Sequence, residues 1–374
     1  MIFAINPIDK RYIGLYALLL LLVSGCSRAG NENTKLDQIE LPPGFAINVF
    51  ASGLSSPRQM ALGKQGTVFV GSRSDSVYAL QDTDSDGRAD KKYTIASGLQ
   101  KPNGVAFRDG DLYVAEIPRL SRYADIEANL QNPPEAQVLS EDFPNRSHHG
   151  YRFIKFGPDG RLYLPIGAPC NVCEAPGFGL ILSMQPDASD KRIYAKGIRN
   201  SVGFDWQPDT GVLWFTDNGR DNLGDNRPPG ELNRAPQAGM HFGFPYCHGG
   251  DIADPKFGDE RKCGEFAAPA QKLGPHVAPL GMRFYDGKMF PKQYQGDIFI
   301  AEHGSWNRSK KIGYRITRVS IDGDNATQYE PFASGWLQGQ SAWGRPADVL
   351  VAPDGALLVS DDQSGVIYRI SYKQ

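Results

Sequence analysis

The chain has 374 residues, a formal net charge of −2 at neutral pH and no run of basic residues after its N-terminal segment. This composition does not indicate a nucleic-acid partner, since such partners select basic patches. Glycine (42 residues) and proline (27 residues) are frequent, and helical periodicity is hard to find. Short alternating apolar runs between these residues favour an all-β protein.

The N-terminal segment has the pattern of an export signal. Lys10 and Arg11 precede an apolar run, YIGLYALLLLLV, that ends shortly before Cys26. The run is shorter than the roughly 20 residues of a membrane span and suits a secretory signal. Small residues before Cys26 resemble a bacterial lipobox, so we expect a signal over 1–25, acylation of Cys26 and a flexible tether over 26–40. The protein is then an exported lipoprotein facing the periplasm, with the outer membrane favoured. An ordinary signal peptide is the alternative.

The four remaining cysteines form an even set, which an oxidising compartment allows to close two disulfides. Their proximity along the chain predicts the pairs Cys170–Cys173 and Cys247–Cys263. Zinc binding by the first pair is the alternative, but the sequence has no second C-x-x-C and only six histidines.

A repeated pattern organises residues 41–374. Each copy opens on a Gly-apolar step and closes on a glycine followed by an apolar-aromatic-apolar run, and the copies begin at Ala51, Ala96, Ser147, Ala195, Val277 and Ala333. Six copies over about 330 residues predict a six-bladed β-propeller, in which each repeat buries its faces against its neighbours. A pair of β-sandwiches would not explain the periodicity. Equivalent loops of the blades then converge at one mouth of the central channel.

The copy from Ala195 carries polar residues at both ends of a predicted hairpin. GFDWQ and VLWFTD alternate in polarity and are separated by PDTG. Arg199 and Asn200 precede the first strand, and Asp217–Asp221 follow the second, so antiparallel pairing brings both groups to one edge of the sheet. Loops held at such an edge are where sites are usually built.

Three segments carry a family resemblance: SHHGYRFIKFGPDGRLYLPIGAPCN, KGIRNSVGFDWQPDTGVLWFTDNGR and GRPADVLVAPDGALLVSDD, in that order. Together they resemble the soluble glucose and sorbosone dehydrogenases that use pyrroloquinoline quinone (PQQ), with the sorbosone branch most similar. The resemblance spans essentially the whole mature chain. It implies a PQQ- and calcium-dependent oxidation of a sugar or sugar aldehyde, with a respiratory electron acceptor as partner.

The resemblance implies catalytic roles for the matching residues. His149 matches the base that removes the proton from the sugar's anomeric hydroxyl. Because neighbours in a strand face opposite ways, we expect only one of His148 and His149 to face the channel, and the spacing favours His149. Arg199 and Asn200 match the pair that lies against the quinone, where a cation stabilises charge on the reduced oxygen. Surface imidazoles and an ordinary salt-bridged arginine are the alternatives.

Other matches concern the cofactor and its metal. Asn103 matches an amide donor to the cofactor, and Arg345 matches the first of two arginines that pair with its carboxylates. Gly219 and Arg220 match the residues whose main-chain carbonyls hold the calcium, a ligand type that suits this hard cation.

Two positions depart from the family pattern. The second carboxylate-binding arginine falls on Ala347, and we expect Arg308 to replace its charge. Where the glucose enzymes carry an aspartate that orients the catalytic histidine, this chain has Ala168. We expect Glu174 or Asp217 to take over this role, or the substrate to differ from glucose.

A second calcium candidate is independent of the quinone site. The segment DTDSDGRAD has carboxylates at alternate positions and a glycine at the turn, as in calcium loops, and its acidic residues are Asp82, Asp84, Asp86 and Asp90. The glutamate that ends a full EF-hand loop is absent, so a solvated hairpin is the alternative.

Two functions therefore compete. The spacing of the histidine, the Arg-Asn pair and the Asn-Gly-Arg loop favours a PQQ-dependent dehydrogenase. The two missing family residues favour a propeller without a quinone, either a carbohydrate-binding module or a calcium-dependent lactonase.

Overall fold

The computed structural model describes Met1 and residues 35–373. Leu36–Gln374 forms one compact unit, which contains all of the described strands. Cys26 and nearly all of the predicted signal lie outside the described residues. Within the described part, no helix is long and apolar enough to cross a membrane.

Strands make up 42% of the structure and helices 4%. In chain order the strands are β1 (Phe45–Ala51), β2 (Pro57–Leu62), β3 (Val68–Ser72), β4 (Val77–Gln81), β5 (Lys91–Ala96), β6 (Gly104–Arg108), β7 (Asp111–Ala115), β8 (Leu120–Tyr123), β9 (Gln137–Ser140), β10 (Lys155–Phe156), β11 (Leu162–Ile166), β12 (Leu180–Met184), β13 (Arg192–Lys196), β14 (Phe204–Trp206), β15 (Leu213–Asp217), β16 (Pro229–Ala235), β17 (Met240–His241), β18 (Cys247–His248), β19 (Ile252–Ala253), β20 (Gln271–Pro275), β21 (Pro279–Phe284), β22 (Ile298–Glu302), β23 (Arg315–Asp322), β24 (Asn325–Ala333), β25 (Leu337–Gln338), β26 (Ser341–Ala342), β27 (Pro346–Val351), β28 (Leu357–Asp361) and β29 (Val366–Tyr372). Short 3-10 helices span Leu36–Gln38, Ile126–Ala128, Cys263–Glu265 and Lys292–Tyr294.

These strands form six blades, which confirms the predicted six-bladed β-propeller. Blade 1 is β2–β5, blade 2 is β6–β9, blade 3 is β10–β13 with β17, blade 4 is β14–β16 with β20, and blade 5 is β21–β24. Blade 6 joins β27–β29 to the first strand, β1, which pairs antiparallel with β29. The two ends of the repeat region therefore close the ring within one sheet. The pairs β18–β19 and β25–β26 are separate two-stranded sheets.

Apolar side chains hold neighbouring blades together. The layer between blades 6 and 1 includes Phe50, Met60, Val70, Leu358 and Ile367, all of them buried. Burying one such side chain stabilises a fold by about 1.5–3 kcal/mol. Since no blade can bury both faces alone, the ring as a whole is the folding unit.

The first strand of each blade lines the central channel, and β2, for example, contacts both β6 and β27. The predicted hairpin is confirmed as β14 and β15, with Phe204 opposite Phe215. Both predicted disulfides, Cys170–Cys173 and Cys247–Cys263, are also present, so the first pair has no free thiols for zinc.

One local prediction is wrong. His148 and His149 lie in a turn before β10, not in a strand, and His149 has a positive φ of 51°. Strand alternation therefore does not separate the two rings, whose centroids are 4.0 Å apart. What separates them is burial, because His148 is exposed whereas His149 is half-buried.

Candidate active site

A cavity of about 180 Å³ lies where the chain enters the channel strands β14 and β21. It is lined by His149, Arg199, Asn200, Asn218, Gly219, Asp221, Gly230, His276, Ala278, Pro279 and Trp306. The structure thus brings together four residues that the sequence singled out from two distant segments: His149, Arg199, Asn200 and Gly219. A larger cavity of about 430 Å³ lies along the other end of the channel strands and contains none of the predicted site residues.

His149 is oriented by the main chain. Its Nδ1 lies 2.8 Å from the carbonyl oxygen of Ala168, and because a carbonyl can only accept, Nδ1 carries the hydrogen of the neutral ring. The other ring nitrogen, Nε2, is therefore unprotonated and able to accept a proton. Close packing permits this contact: a Cβ on Gly167 would lie 2.6 Å from the His149 Cβ.

The surroundings of His149 keep it neutral. Burial lowers the pKa of His149 to about 2, and the Arg199 guanidinium and His148 add to the effect. Neither Glu174 nor Asp217 is hydrogen-bonded to the ring, so the expected replacement of the family aspartate by either carboxylate is wrong. The carbonyl of Ala168, the very residue that replaces that aspartate, holds the imidazole.

Arg199 is buried and uses its whole guanidinium on protein acceptors. Nε donates to the Asn171 carbonyl (2.9 Å), and Nη1 donates to the carbonyls of Asn218 (3.2 Å) and Gly219 (3.0 Å). Nη2 donates to the Asn171 side chain (2.9 Å) and to Asp221 (2.8 Å). Burial lowers the pKa of Arg199, while Asp221 opposes that effect. The residue therefore fixes the loop after β15 to the segment that follows β11.

Asp217 completes this edge of the hairpin. Its two oxygens accept the backbone N–H groups of Arg199 (2.8 Å) and Asn200 (2.6 Å). This is the juxtaposition that the hairpin pattern predicted. Burial and the neighbouring Glu231 raise the pKa of Asp217, because two carboxylates cannot both ionise cheaply there.

The calcium prediction rests on the carbonyls of Gly219 and Arg220. The Gly219 carbonyl accepts one hydrogen bond from Arg199, and a carbonyl has two lone pairs, so it retains capacity for a cation. The Arg220 side chain does not turn to the cavity but pairs with the buried carboxylate of Asp254. With Asp221 beside them, these hard oxygens fit calcium, and the role stays a prediction.

A group of three arginines surrounds the single carboxylate of Asp362. Arg58 lies 2.8 Å and Arg73 3.4 Å from the carboxylate, and Arg345 adds its positive charge close by. His303 lies 2.8 Å from the same carboxylate, but burial lowers its pKa to about 4, so it is neutral near pH 7. The cluster therefore carries an excess of positive charge.

One side-chain contact and one main-chain contact connect this arginine cluster to the residues of the cavity. The Arg58 guanidinium stacks over the ring of Tyr151, 4.9 Å from the ring centroid. Tyr151 follows His149 by two residues. The His303 amide donates to the carbonyl of Ala278, which lines the cavity. An anion with several carboxylates fits this arrangement, because one carboxylate cannot neutralise three guanidinium groups.

Other predicted cofactor residues lie elsewhere. Arg308 donates to the carbonyls of Asp225 and Lys310, and it is not among the residues lining the cavity. Asn103 is buried, and its amide donates to the Arg152 carbonyl at 2.6 Å. Their cofactor roles stay predictions.

Ala347 shows why this position needs no charge. It is buried in an apolar group with Val202, Leu280 and Tyr151 in the channel. An arginine there would have to displace these side chains.

Sequence reasoning missed several residues in and around the site, namely Arg58, Arg73, Asn171, His276, Trp306 and Asp362. Trp306 stands out, since its indole is 71% exposed at the rim of the cavity. The pattern HGSWNR contains it, so a lone aromatic residue in a polar loop was an available signal. Arg58 and Arg73 lie in blade 1 and give no local signal.

The acidic loop outside the site keeps part of its predicted geometry. Oxygens of Asp82, Asp84 and Asp86 lie within 4.8 Å of one another. Asp90 instead accepts hydrogen bonds from Thr83. Calcium binding by this loop stays a prediction, and Asp90 is not part of the acidic group.

Comparisons with known proteins extend this description. The family model of a domain of unknown function, DUF7133, matches residues 31–370. An uncharacterized protein of Borreliella burgdorferi is 35% identical over 371 residues, which cover 95% of this chain and 96% of that protein. Aldose sugar dehydrogenase YliI of Escherichia coli is 30% identical over 186 residues, 48% of this chain and 43% of YliI.

A solved structure shares the fold. The holo form of the PQQ domain of pyranose dehydrogenase from Coprinopsis cinerea aligns with a TM-score of 0.77 and 19% identity, covering 89% of this chain and 97% of that one. At this identity the likeness establishes the propeller fold alone.

Proposed function

The chain belongs to the family of the domain of unknown function DUF7133, and we propose that it oxidises a sugar or a sugar aldehyde of the aldose or sorbosone kind with PQQ and calcium. The observation that carries the proposal is the neutral His149, whose unprotonated Nε2 belongs to a polar cavity beside a cluster of arginines. The sugar dehydrogenase names of YliI and of the fungal structural neighbour support the same activity.

His149 would act as the general base. A substrate hydroxyl within hydrogen-bond reach of Nε2 would lose its proton to that atom, while Nδ1 keeps its hydrogen on the Ala168 carbonyl. The proton would remain on the ring until water removes it. Trp306, exposed at the rim, offers an apolar face on which a sugar ring can stack.

The arginine cluster would bind the carboxylates of the quinone. Arg58, Arg73 and Arg345 place three positive charges around the one carboxylate of Asp362, and Arg345 also donates Nε and Nη2 to the carbonyls of His303 and Gly304. When bound, the quinone would accept the hydride from the substrate carbon. Calcium would be held by the carbonyls of Gly219 and Arg220 and would draw electron density from the quinone.

The remaining proposals concern location and partners. We keep the interpretation of an acylated Cys26 that anchors an exported protein in the periplasm, where a respiratory acceptor would take the electrons. The two disulfides support an oxidising compartment. Acylation is tested by labelling cells with a fatty-acid analogue: we expect the label on the unaltered protein and none on C26A, and an unlabelled protein would contradict the anchor.

Turnover tests the proposed activity. The purified chain without its signal is loaded with PQQ and calcium, and dye reduction is followed with aldoses, sorbosone and polyols. We expect turnover that depends on both PQQ and calcium. Hydrolysis of lactones without PQQ, and no dye reduction, would favour the lactonase instead. To bind a lactonase metal, Asp217 would have to release the backbone N–H groups of Arg199 and Asn200, which does not favour that alternative.

A further inference from the structure

The disulfide-closed segment after β11 touches both sides of the site. Ala168 donates its N–H to the Arg199 carbonyl (2.8 Å) and accepts from His149 through its own carbonyl. Three residues later, Asn171 lies inside the ring closed by Cys170–Cys173. Residues 167–179 form no strand, so no ladder of strand hydrogen bonds fixes the position of this loop.

Asn171 makes four hydrogen bonds to the residues that form the cavity. Its carbonyl accepts from Arg199 Nε (2.9 Å), and its Oδ1 accepts from Arg199 Nη2 (2.9 Å). The same Oδ1 accepts the backbone N–H of Asp221 (2.8 Å), and Nδ2 donates to the Asp221 carbonyl (3.1 Å). One half-buried side chain thereby links blade 3 to the loop of blade 4 that carries Gly219.

These bonds matter because Arg199 is buried. A buried guanidinium that loses its acceptors pays the desolvation cost of each unsatisfied N–H. Arg199 in turn donates to the Gly219 carbonyl, so a movement of its guanidinium would shift or break the hydrogen bond to this predicted calcium ligand. A disulfide that spans only three positions limits the conformations open to Asn171 and so reduces the entropy lost on forming these bonds.

We propose that Asn171 is a positioning residue, and that the Cys170–Cys173 ring holds it so that Arg199 and the Gly219–Asp221 loop keep one arrangement. The inference rests on the proposed function for what Arg199 and Gly219 do, but the arrangement itself is a property of the protein alone. Opening the ring should loosen the loop of blade 4, although no covalent bond joins the two.

Hydrogen exchange of two protons tests this: the Arg199 Nε–H, observed in protein labelled with ¹⁵N-arginine, and the Asp221 amide. In C170S/C173S we expect both to exchange at least tenfold faster, although every hydrogen-bonding group of Asn171 is retained. In N171A the main-chain carbonyl that accepts Arg199 Nε–H is retained but Oδ1 is lost, so we expect the tenfold rise for the Asp221 amide. N171D keeps a side-chain acceptor and should return that amide to within about threefold of the unaltered rate.

The control is C247S/C263S, which removes the other disulfide and should leave both protons unchanged at matched temperature below unfolding. If a serine variant does not fold, the native protein is treated with a dithiol and exchange is followed as Cys170–Cys173 opens. Unchanged exchange in C170S/C173S or in the reduced protein, or an equal rise in C247S/C263S, would overturn the inference. Because no cofactor is present, failure of the protein to bind PQQ would contradict the proposed function and leave this result standing.

Discussion

The imidazole of His149 is held at Nδ1 by the Ala168 carbonyl, 2.8 Å away. A carbonyl orients the ring as a carboxylate would, but it contributes no negative charge to stabilise an imidazolium. The base therefore stays neutral in the resting protein, and its proton affinity depends on the substrate side of the site. Compared with an aspartate at this position, Ala168 removes a negative charge from beside the base but still holds the imidazole ring in one orientation.

Replacing His149 should remove catalysis and spare binding. For H149A we expect turnover of the PQQ- and calcium-loaded protein to fall about 10²–10⁴-fold, the usual contribution of a general base. PQQ affinity should change little, since the arginines carry that binding. H148A, at an exposed neighbour, is the matched control and should stay within about twofold. Equal losses in both variants would contradict the assignment of the base.

The protonation state of His149 gives a second test. Its pKa, lowered to about 2 by burial and Arg199, leaves the ring neutral from pH 8 to pH 5, whereas an ordinary histidine takes up its proton below about 6.5. We therefore expect no titration of the His149 ring carbons by NMR in that interval, with H149Q used for assignment. A step near pH 6.5 would show that the ring is not buried against Arg199.

Removing one arginine of the cluster tests where the quinone carboxylates bind. R58M should weaken PQQ binding about 10–100-fold, because a charge-assisted hydrogen bond contributes about 1.5–3 kcal/mol. R308M should change the affinity less than threefold, since Arg308 donates to the main-chain carbonyls of Asp225 and Lys310 and does not line the cavity. The opposite order, measured by absorbance titration, would favour Arg308 as the residue that binds the cofactor carboxylates.

Residues that share a motif were predictable, and residues that meet only through closure of the ring were not. His149, Arg199 and Gly219 follow from ordered motifs in consecutive repeats. Arg58 and Asp362 stand about 300 positions apart, and only the pairing of blades 1 and 6 brings them to 2.8 Å. The sequence pointed to Arg308, in HGSWNR, and gave no reason to consider Arg58.

At the scale of elements, the hairpin β14–β15 and the two disulfides followed from local pattern. Turn signals and alternation fix a hairpin from a few consecutive residues, so its polar ends could be assigned to one edge. The turn at His149 could not be assigned in this way. It has a positive φ and packs against Gly167, which follows β11, and no local pattern encodes that contact.

The long excursion between β17 and β20 should depend on its disulfide for stability. Cys247–Cys263 closes a loop of 16 positions, for which chain entropy predicts a contribution of about 3 kcal/mol. We expect C247S/C263S to lower the free energy of unfolding by about that amount in guanidinium titrations. The disulfide Cys170–Cys173 closes a much shorter loop, so C170S/C173S should lower the free energy of unfolding by less. A larger loss in C170S/C173S would mean that strain or packing, not loop closure, dominates.

At the scale of the whole molecule, the number of blades was predictable because each repeat carries its own signals. The strand that closes the ring was not, since β1 stands outside the first repeat and pairs with the last. The sequence of β1 has the pattern of any amphipathic strand and does not indicate its partner, which is β29 at the open edge of blade 6.

Two truncations test ring closure. Removal of residues 1–35 leaves the compact unit Leu36–Gln374 complete and should yield a soluble protein with an unchanged melting temperature. Removal of residues 1–51 takes away β1 and leaves β29 as an open edge, which promotes aggregation. We expect the longer truncation to be insoluble or to melt at a much lower temperature. Equal stability of the two proteins would contradict closure by β1.

The central claim is that this channel mouth binds a quinone with several carboxylates together with calcium. An equilibrium titration of the metal-stripped protein with PQQ, with and without calcium, tests it most directly through the cofactor's absorbance. The account predicts saturable binding at one site per chain that tightens when calcium is added and weakens in R58M. No binding under either condition would contradict it.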